Sequence, residues 1–123
     1  DLTADYVKER KAFGKPLAAF QNTQFKLAEL RTDLDIAQSY VDQCVAAFNN
    51  EQLTAVDAAK AKLVTSELQV TVADVGVQLH GGAGYMWDYP IARAWADSRM
   101  SRIAGGSAEI MKQIIARDMM GRN

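Results

Sequence analysis

The sequence predicts an all-α fold, an antiparallel up-and-down four-helix bundle with short extra helices. Three observations carry that prediction. Apolar residues recur at helical spacing through two long and three shorter segments. No β-type alternation runs for more than a few residues. The only prolines, Pro16 and Pro90, fall in short loop-like stretches that separate the segments. At 123 residues with 49% hydrophobic content, the chain supports one domain with one modest core. Residues 1–123 are therefore read as a single helical bundle. The opening "DLTADYVKER" is already helix-like and lacks an initiating methionine, so it reads as a first helix truncated from a longer chain.

The first segment, Leu2 to Arg10, places Leu2, Tyr6 and Val7 on one side. "KAFGKPLAAF" breaks it with Gly14 and Pro16. Asn22 or Thr23 is the expected N-cap of the second segment. From there Phe25, Leu27, Leu30, Leu34, Ala37, Tyr40, Val41, Cys44, Val45 and Phe48 hold one apolar face for about seven turns. Thr54 opens the third segment, with Asp57 as a capping-box variant, and its small, β-branched face runs from Val56 to His80. Gly76 within that face predicts a close approach by a neighbouring helix or a ligand. "GGAGYMWDY" is the longest loop signal, after which Pro90 suits the first position of a fourth helix. "RIAGGS" is the last loop. Ser107 is then the expected N-cap of a helix striped by Ile110, Met111, Ile114, Ile115 and Met119.

Net charge is -1 with acids and bases mixed, which gives no electrostatic case for nucleic acid or an anionic membrane. No apolar run approaches spanning length. Cys44 is the only cysteine, so no internal disulfide forms and a reducing, cytoplasmic setting is expected. Cys44 itself reads as a small core hydrophobe. No metal is expected, because the lone His80 has no second histidine or acidic cluster beside it; a histidine at a helix end usually satisfies carbonyls there.

Three stretches could carry chemistry. "HGGAGY" lacks the GxGxxG spacing and follows a helix, which argues against a dinucleotide fold of the Rossmann kind. A glycine cap explains part of it, but three glycines in four exceed what a cap needs, and the surplus suggests close approach of backbone N–H groups to something. "ERKAFGKPL" sets Arg10, Lys11 and Lys15 around an aromatic turn, either solvated or an anion-binding corner in which Arg10 meets a phosphate. "GGSAE" has the form of a helix N-terminus exposed by glycines. Its amides and dipole favour an anion or electron-rich group, and Ser107 either binds a ligand or caps. Glu109 complements the dipole there.

Together and in this order, "YVKERKAFGKPLAAFQ", "VQLHGGAGYMWDYPIARAWADSRMSRI" and "AGGSAEIMKQIIAR" resemble the C-terminal helical domain of the acyl-CoA dehydrogenases. "QLHGGAGYM" with "GGSAEIMK" is most similar to bacterial members of the long-chain type. The resemblance implies a parent enzyme that oxidises an acyl-CoA to the trans-2-enoyl-CoA with FAD as hydride acceptor. It implies electron-transferring flavoprotein as partner and a homo-oligomer, dimer or tetramer, with FAD across a subunit interface. By position it assigns Arg10 to the pyrophosphate of a neighbouring subunit's FAD, Phe13 beside it, and Gln21 near the flavin. Gln78, Gly81 and Gly82 match the loop that approaches the adenosine and pyrophosphate, and Ser107 and Glu109 match positions beside the flavin. Ala12 stands where some members carry a hydroxyl. Gly105 occupies the position of the catalytic glutamate in many members, so no catalytic residue is assigned. In the long-chain and isovaleryl subgroup the base comes from an earlier helix, which would place it before Asp1. The fragment alone is then expected to be inactive. An acyl-CoA oxidase domain, or a helical interaction module that kept the fold and lost the chemistry, are the alternatives.

Overall fold

The computed structural model describes residues 1–121. Five helices follow one another: α1 (Leu2–Glu9), α2 (Gln21–Asn49), α3 (Ala55–His80), α4 (Pro90–Met100) and α5 (Ala108–Met120). Their directions alternate. Tyr40 of α2 meets Asp57 at the start of α3, whereas Tyr6 of α1 stacks on His80 at its end. Ile91 of α4 lies against Gly76, and Lys112 of α5 reaches Glu67. The up-and-down arrangement expected from the sequence is the one observed.

Helix α3 is the axis of the bundle. Its buried residues Ala59, Ser66, Ala73 and His80 recur every seventh position and lie on one seam with Gly76. Small side chains there let neighbours come close. A Cβ on Gly76 would lie 2.7 Å from Ile91 Cδ1 and 2.8 Å from Thr3 Oγ1, so the close approach expected at this glycine is to α4 and α1. Val7 at 1% exposure, Thr23, Ala37, Ile91, Ala92, Ser98, Ala108 and Met111 complete the buried set on the surrounding helices.

Caps set most boundaries. Thr54 Oγ1 accepts from the Asp57 N–H at 3.1 Å and donates to the Asp57 carboxylate at 2.8 Å. Ser107 Oγ accepts from the Ile110 N–H at 3.4 Å, and Pro90 occupies the first turn of α4, both as expected. The start of α2 differs from expectation. It begins at Gln21 after an extended Phe20, with no side-chain cap, and Thr23 is buried rather than capping. The 3-10 turn Leu17–Ala19 leads directly into the helix, and the Gln24 side-chain amide donates back to the Ala18 carbonyl at 2.9 Å.

Two further features matter for function. Between α1 and α2 the chain forms a small antiparallel hairpin, β1 (Lys11–Ala12) and β2 (Lys15–Pro16), where the sequence suggested only a broken turn. The apolar faces of α2 and α5 are also only partly covered. Phe25, Ile36, Val45 and Phe48 are exposed on α2, as are Ile110 and Met119 on α5. Periodicity gave these helices a face, but the neighbours within this chain cover little of it. An open apolar groove of about 730 Å³ lies between the start of α1, α2, α3 and α4, lined by Leu27, Leu34, Leu68 and Val72 among others.

Candidate functional site

The sequence-predicted residues fall into two groups at opposite ends of α4. The first comprises Arg10, Phe13, Gln21, Gln78, Gly81 and Gly82, around the end of α3. Tyr6 brings α1 here: its ring stacks on His80 at 3.9 Å, and its hydroxyl donates to the His80 carbonyl at 3.3 Å. His80 is buried, and its Nδ1 lies 2.7 Å from the Gly76 carbonyl. It is a helix-end histidine bonded to a carbonyl, as its position suggested.

The hairpin projects from this end. Lys11 pairs with Pro16 and Ala12 with Lys15, which leaves Phe13 and Gly14 as a two-residue turn. Both have positive φ, 52° and 80°. Such primed turns fit the twist of a hairpin, but they favour Asn-Gly; a phenylalanine at positive φ is strained. Yet the Phe13 ring is 98% exposed and meets only Phe20 edge-on, at 6.5 Å between centroids. Lys15 Nζ covers the other aromatic, 4.2 Å from the Phe20 centroid, a cation–π contact that sequence reasoning missed. Arg10 is exposed and makes no ion pair among the described residues. Its carbonyl accepts from Leu17 N–H at 2.8 Å, which fixes the hairpin to the chain after it.

The glycines of "HGGAGY" divide by role. Gly81 ends α3 with φ 61°. Gly84 is buried against α3, where a Cβ would lie 2.4 Å from the Val77 carbonyl oxygen. Gly82 has neither reason: its φ is not positive, and a Cβ would meet nothing within 4 Å. The surplus noted in the sequence reduces to this one residue, whose missing side chain leaves open space outside the bundle. Trp87, in the following turn, is also largely exposed.

The second group, Gly105, Ser107 and Glu109, sits at the other end of α4, where the 101–107 loop turns into α5. It is tied to α3 near Lys62, about 27 Å from His80 along the helix at 1.5 Å per residue. Gly105 and Gly106 both have positive φ, 67° and 97°. The Ala108 N–H donates to the Arg102 carbonyl at 3.0 Å and closes the loop. The Glu109 carboxyl is held below the ordinary glutamate value, first by its own backbone N–H and then by the Ser107 side chain. That is the dipole-complementing role the sequence suggested for it. Gly105 has no carboxylate, and a Cβ there would meet only Lys62 Cε, at 3.9 Å.

The structure therefore brings the first six residues to one end of the molecule and the last group to the other. The half-buried Cys44 belongs to neither. Its Sγ lies 3.9 Å from the Asp57 carbonyl, beside Tyr40, where α2 and α3 meet. Lys62 and the Arg102–Glu67–Lys112 cluster, with N···O distances of 3.9 and 3.8 Å, were not singled out from sequence. Lys62 had a signal: it stands three residues after buried Ala59 and four before buried Ser66, a cation on the seam of α3. Among the described residues no helix is long and apolar enough to cross a membrane.

The profile of the family described as "Acyl-CoA dehydrogenase, C-terminal domain" matches residues 1–120. The chain is 50% identical to the long-chain specific acyl-CoA dehydrogenase, mitochondrial, of Rattus norvegicus over 118 residues. That match covers 96% of this chain and 27% of the rat protein. Two solved structures superpose closely. One is an acyl-CoA dehydrogenase from Geobacillus kaustophilus, with TM-score 0.94 and 41% identity over 96% of this chain and 31% of the other. The second is butyryl-CoA dehydrogenase from Megasphaera elsdenii, with TM-score 0.93 and 33% identity over 97% of this chain and 31% of the other. The chain thus spans less than a third of the length of these proteins.

Proposed function

The chain belongs to the acyl-CoA dehydrogenase family as its C-terminal domain, and from that premise we propose that it is the flavin-contacting, oligomer-forming part of an acyl-CoA dehydrogenase. The observation that carries this reading is Phe13, a strained residue whose ring is almost wholly exposed. Strain of this kind persists at sites where something else makes use of it. Gly82 and Arg10 point the same way. An open Cβ direction lets a ligand reach the backbone, and an exposed guanidinium is ready for bidentate contact with a pyrophosphate. The residues present fit a dinucleotide cofactor in this respect.

Bound to this family's sites, FAD supplies the hydride acceptor for oxidation of an acyl-CoA to the trans-2-enoyl-CoA. Arg10, Phe13, Gln21, Gln78, Gly81 and Gly82 would hold the cofactor of a neighbouring subunit. Ser107 and Glu109 would lie beside the flavin of their own. The separation of the two groups along α3 and α4 supports this division, since each end is then completed by a second copy of the chain. The exposed apolar faces of α2 and α5 and the groove below α1 supply surface for such an assembly, dimer or tetramer. Gly105 leaves room for substrate rather than a base, and the base comes from outside these 123 residues. A carboxylate on another wall of the pocket serves as well, provided it reaches the α proton. Electron-transferring flavoprotein is the acceptor this reading implies. A single half-buried cysteine suits a reducing compartment, the cytoplasm in the simplest case.

The test is the visible spectrum of the full-length protein before and after anaerobic addition of a long-chain acyl-CoA. A flavin band that bleaches is expected. Protein that carries no flavin, even after incubation with FAD, would overturn the reading.

A further inference from the structure

A lysine of α3 that the functional reading does not use bonds to both ends of the last loop. Lys62 leaves the helix on its buried seam, and its ammonium donates to the Gly106 carbonyl at 2.5 Å and to the Ser101 carbonyl at 3.4 Å. Those two acceptors are the entry and the exit of the loop, so one side chain joins both ends. An ammonium offers three donors on a flexible stem and accepts nothing, which suits it to gathering carbonyls. The far side of Gly106 is closed as well. A Cβ there would lie 2.8 Å from Met111 Cε, so the residue is held between a cation on α3 and a methyl on α5.

The direction of that carbonyl has a consequence for the next amide. The peptide unit is planar and trans, so the Gly106 C=O and the Ser107 N–H point in opposite directions. With the carbonyl drawn onto Lys62, the Ser107 N–H faces away from α3. Both residues before it are glycines at positive φ, and without a Cβ their peptide planes rotate widely when nothing fixes them. Salt bridges from Glu67 to Arg102 and Lys112 hold the loop's start and the second turn of α5 at longer range, but they do not touch the glycine peptides.

We propose that Lys62 is a positioning residue of the flavin site: by holding the Gly106 carbonyl against α3 it turns the Ser107 N–H and the first turn of α5 outward, toward the cofactor. The inference rests on the functional reading given above for Ser107 and Glu109. It adds a residue that the sequence motif does not contain, located 44 positions before Gly106 in the chain.

The full-length protein tests it. Lys62→Met keeps most of the stem and removes every donor. The expected result is a folded, assembled variant in which amide hydrogen exchange of peptides covering 101–107 is about 10-fold faster, and FAD affinity falls by about 10-fold, since small misplacements of a preorganised contact have effects of this order. Lys62→Arg, which restores a cationic donor, recovers most of both. Unchanged exchange and unchanged FAD affinity in Lys62→Met overturn the proposal. If Lys62→Met does not fold, Lys62→Gln is measured by the same two readouts with the same criteria. A wild-type protein that binds no FAD defeats the functional reading itself. A wild type that binds FAD, beside a Lys62→Met variant that binds it equally well, defeats only the role of Lys62.

Discussion

At one end of α4 three glycines follow His80; at the other, two glycines precede Ser107. In the first turn Gly84 lies on the backbone of α3, Gly81 ends the helix, and Gly82 faces open space. In the second turn both glycines take left-handed φ values, and the chain is held by Lys62 and Met111. Two stretches of similar composition are thus glycine-rich for different reasons. The first combines a contact-limited glycine, Gly84, with a positive-φ glycine, Gly81, and leaves Gly82 unexplained by the bundle. The second is limited by conformation. The difference teaches where to look for a ligand: at the glycine whose absent side chain nothing in the chain accounts for.

Substitutions can break or sharpen that contrast. The largest expected effect is at Gly84. Alanine there drives a Cβ into the Val77 carbonyl, and backbone cannot yield as a side-chain tip does. Unfolding free energy should fall by about 3 kcal/mol, the upper part of the range for overpacking, read from the denaturant midpoint of the intact protein. Gly106→Ala comes next, at about 1–2 kcal/mol for a left-handed alanine, because Met111 Cε is a flexible end that can move aside. If Gly106→Ala proves the more damaging of the two, the division into contact-limited and conformation-limited turns is wrong.

A smaller effect sharpens the second turn. Its helix start lowers the Glu109 pKa from the ordinary 4.5, first through the residue's own N–H and then through Ser107. A lowered value means that the charged form is favoured by the folded chain. Any stabilisation is then complete above the ordinary glutamate range and is lost as pH falls through the lowered value. An NMR titration of Glu109 should show a midpoint below 4.5 that rises in Ser107→Ala. A midpoint unmoved by that substitution would remove Ser107 from the account of this turn.

Much of this architecture was legible because it follows local rules. Thr54, Ser107 and Pro90 mark helix starts by their own chemistry, and Gly76 announced a close approach because only contact justifies a glycine inside a long helix. The hairpin was not legible. Its turn carries Phe13 where Asn would be the signal, and two-residue strands leave no alternation to read. The apolar face of α2 was legible but its cover was not, since periodicity says which side is apolar and not what lies against it. Spacing placed Lys62 only on the seam of α3; its acceptors are carbonyls 39 and 44 residues away, which no spacing encodes. Of the site, the candidate residues were nameable from the sequence motifs, whereas their separation into two groups required the alternating directions of α3, α4 and α5.

The central claim is that Gly82 is open because a flavin cofactor approaches it, and Gly82→Leu tests this most directly. A Cβ there meets nothing within 4 Å and the φ is not left-handed, so stability should change by less than about 0.5 kcal/mol. FAD affinity of the full-length protein, followed by quenching of flavin fluorescence on titrating the apoprotein, should fall at least about 10-fold, or about 1.4 kcal/mol. A Gly82→Leu protein that folds and binds FAD as tightly as the parent would contradict the account.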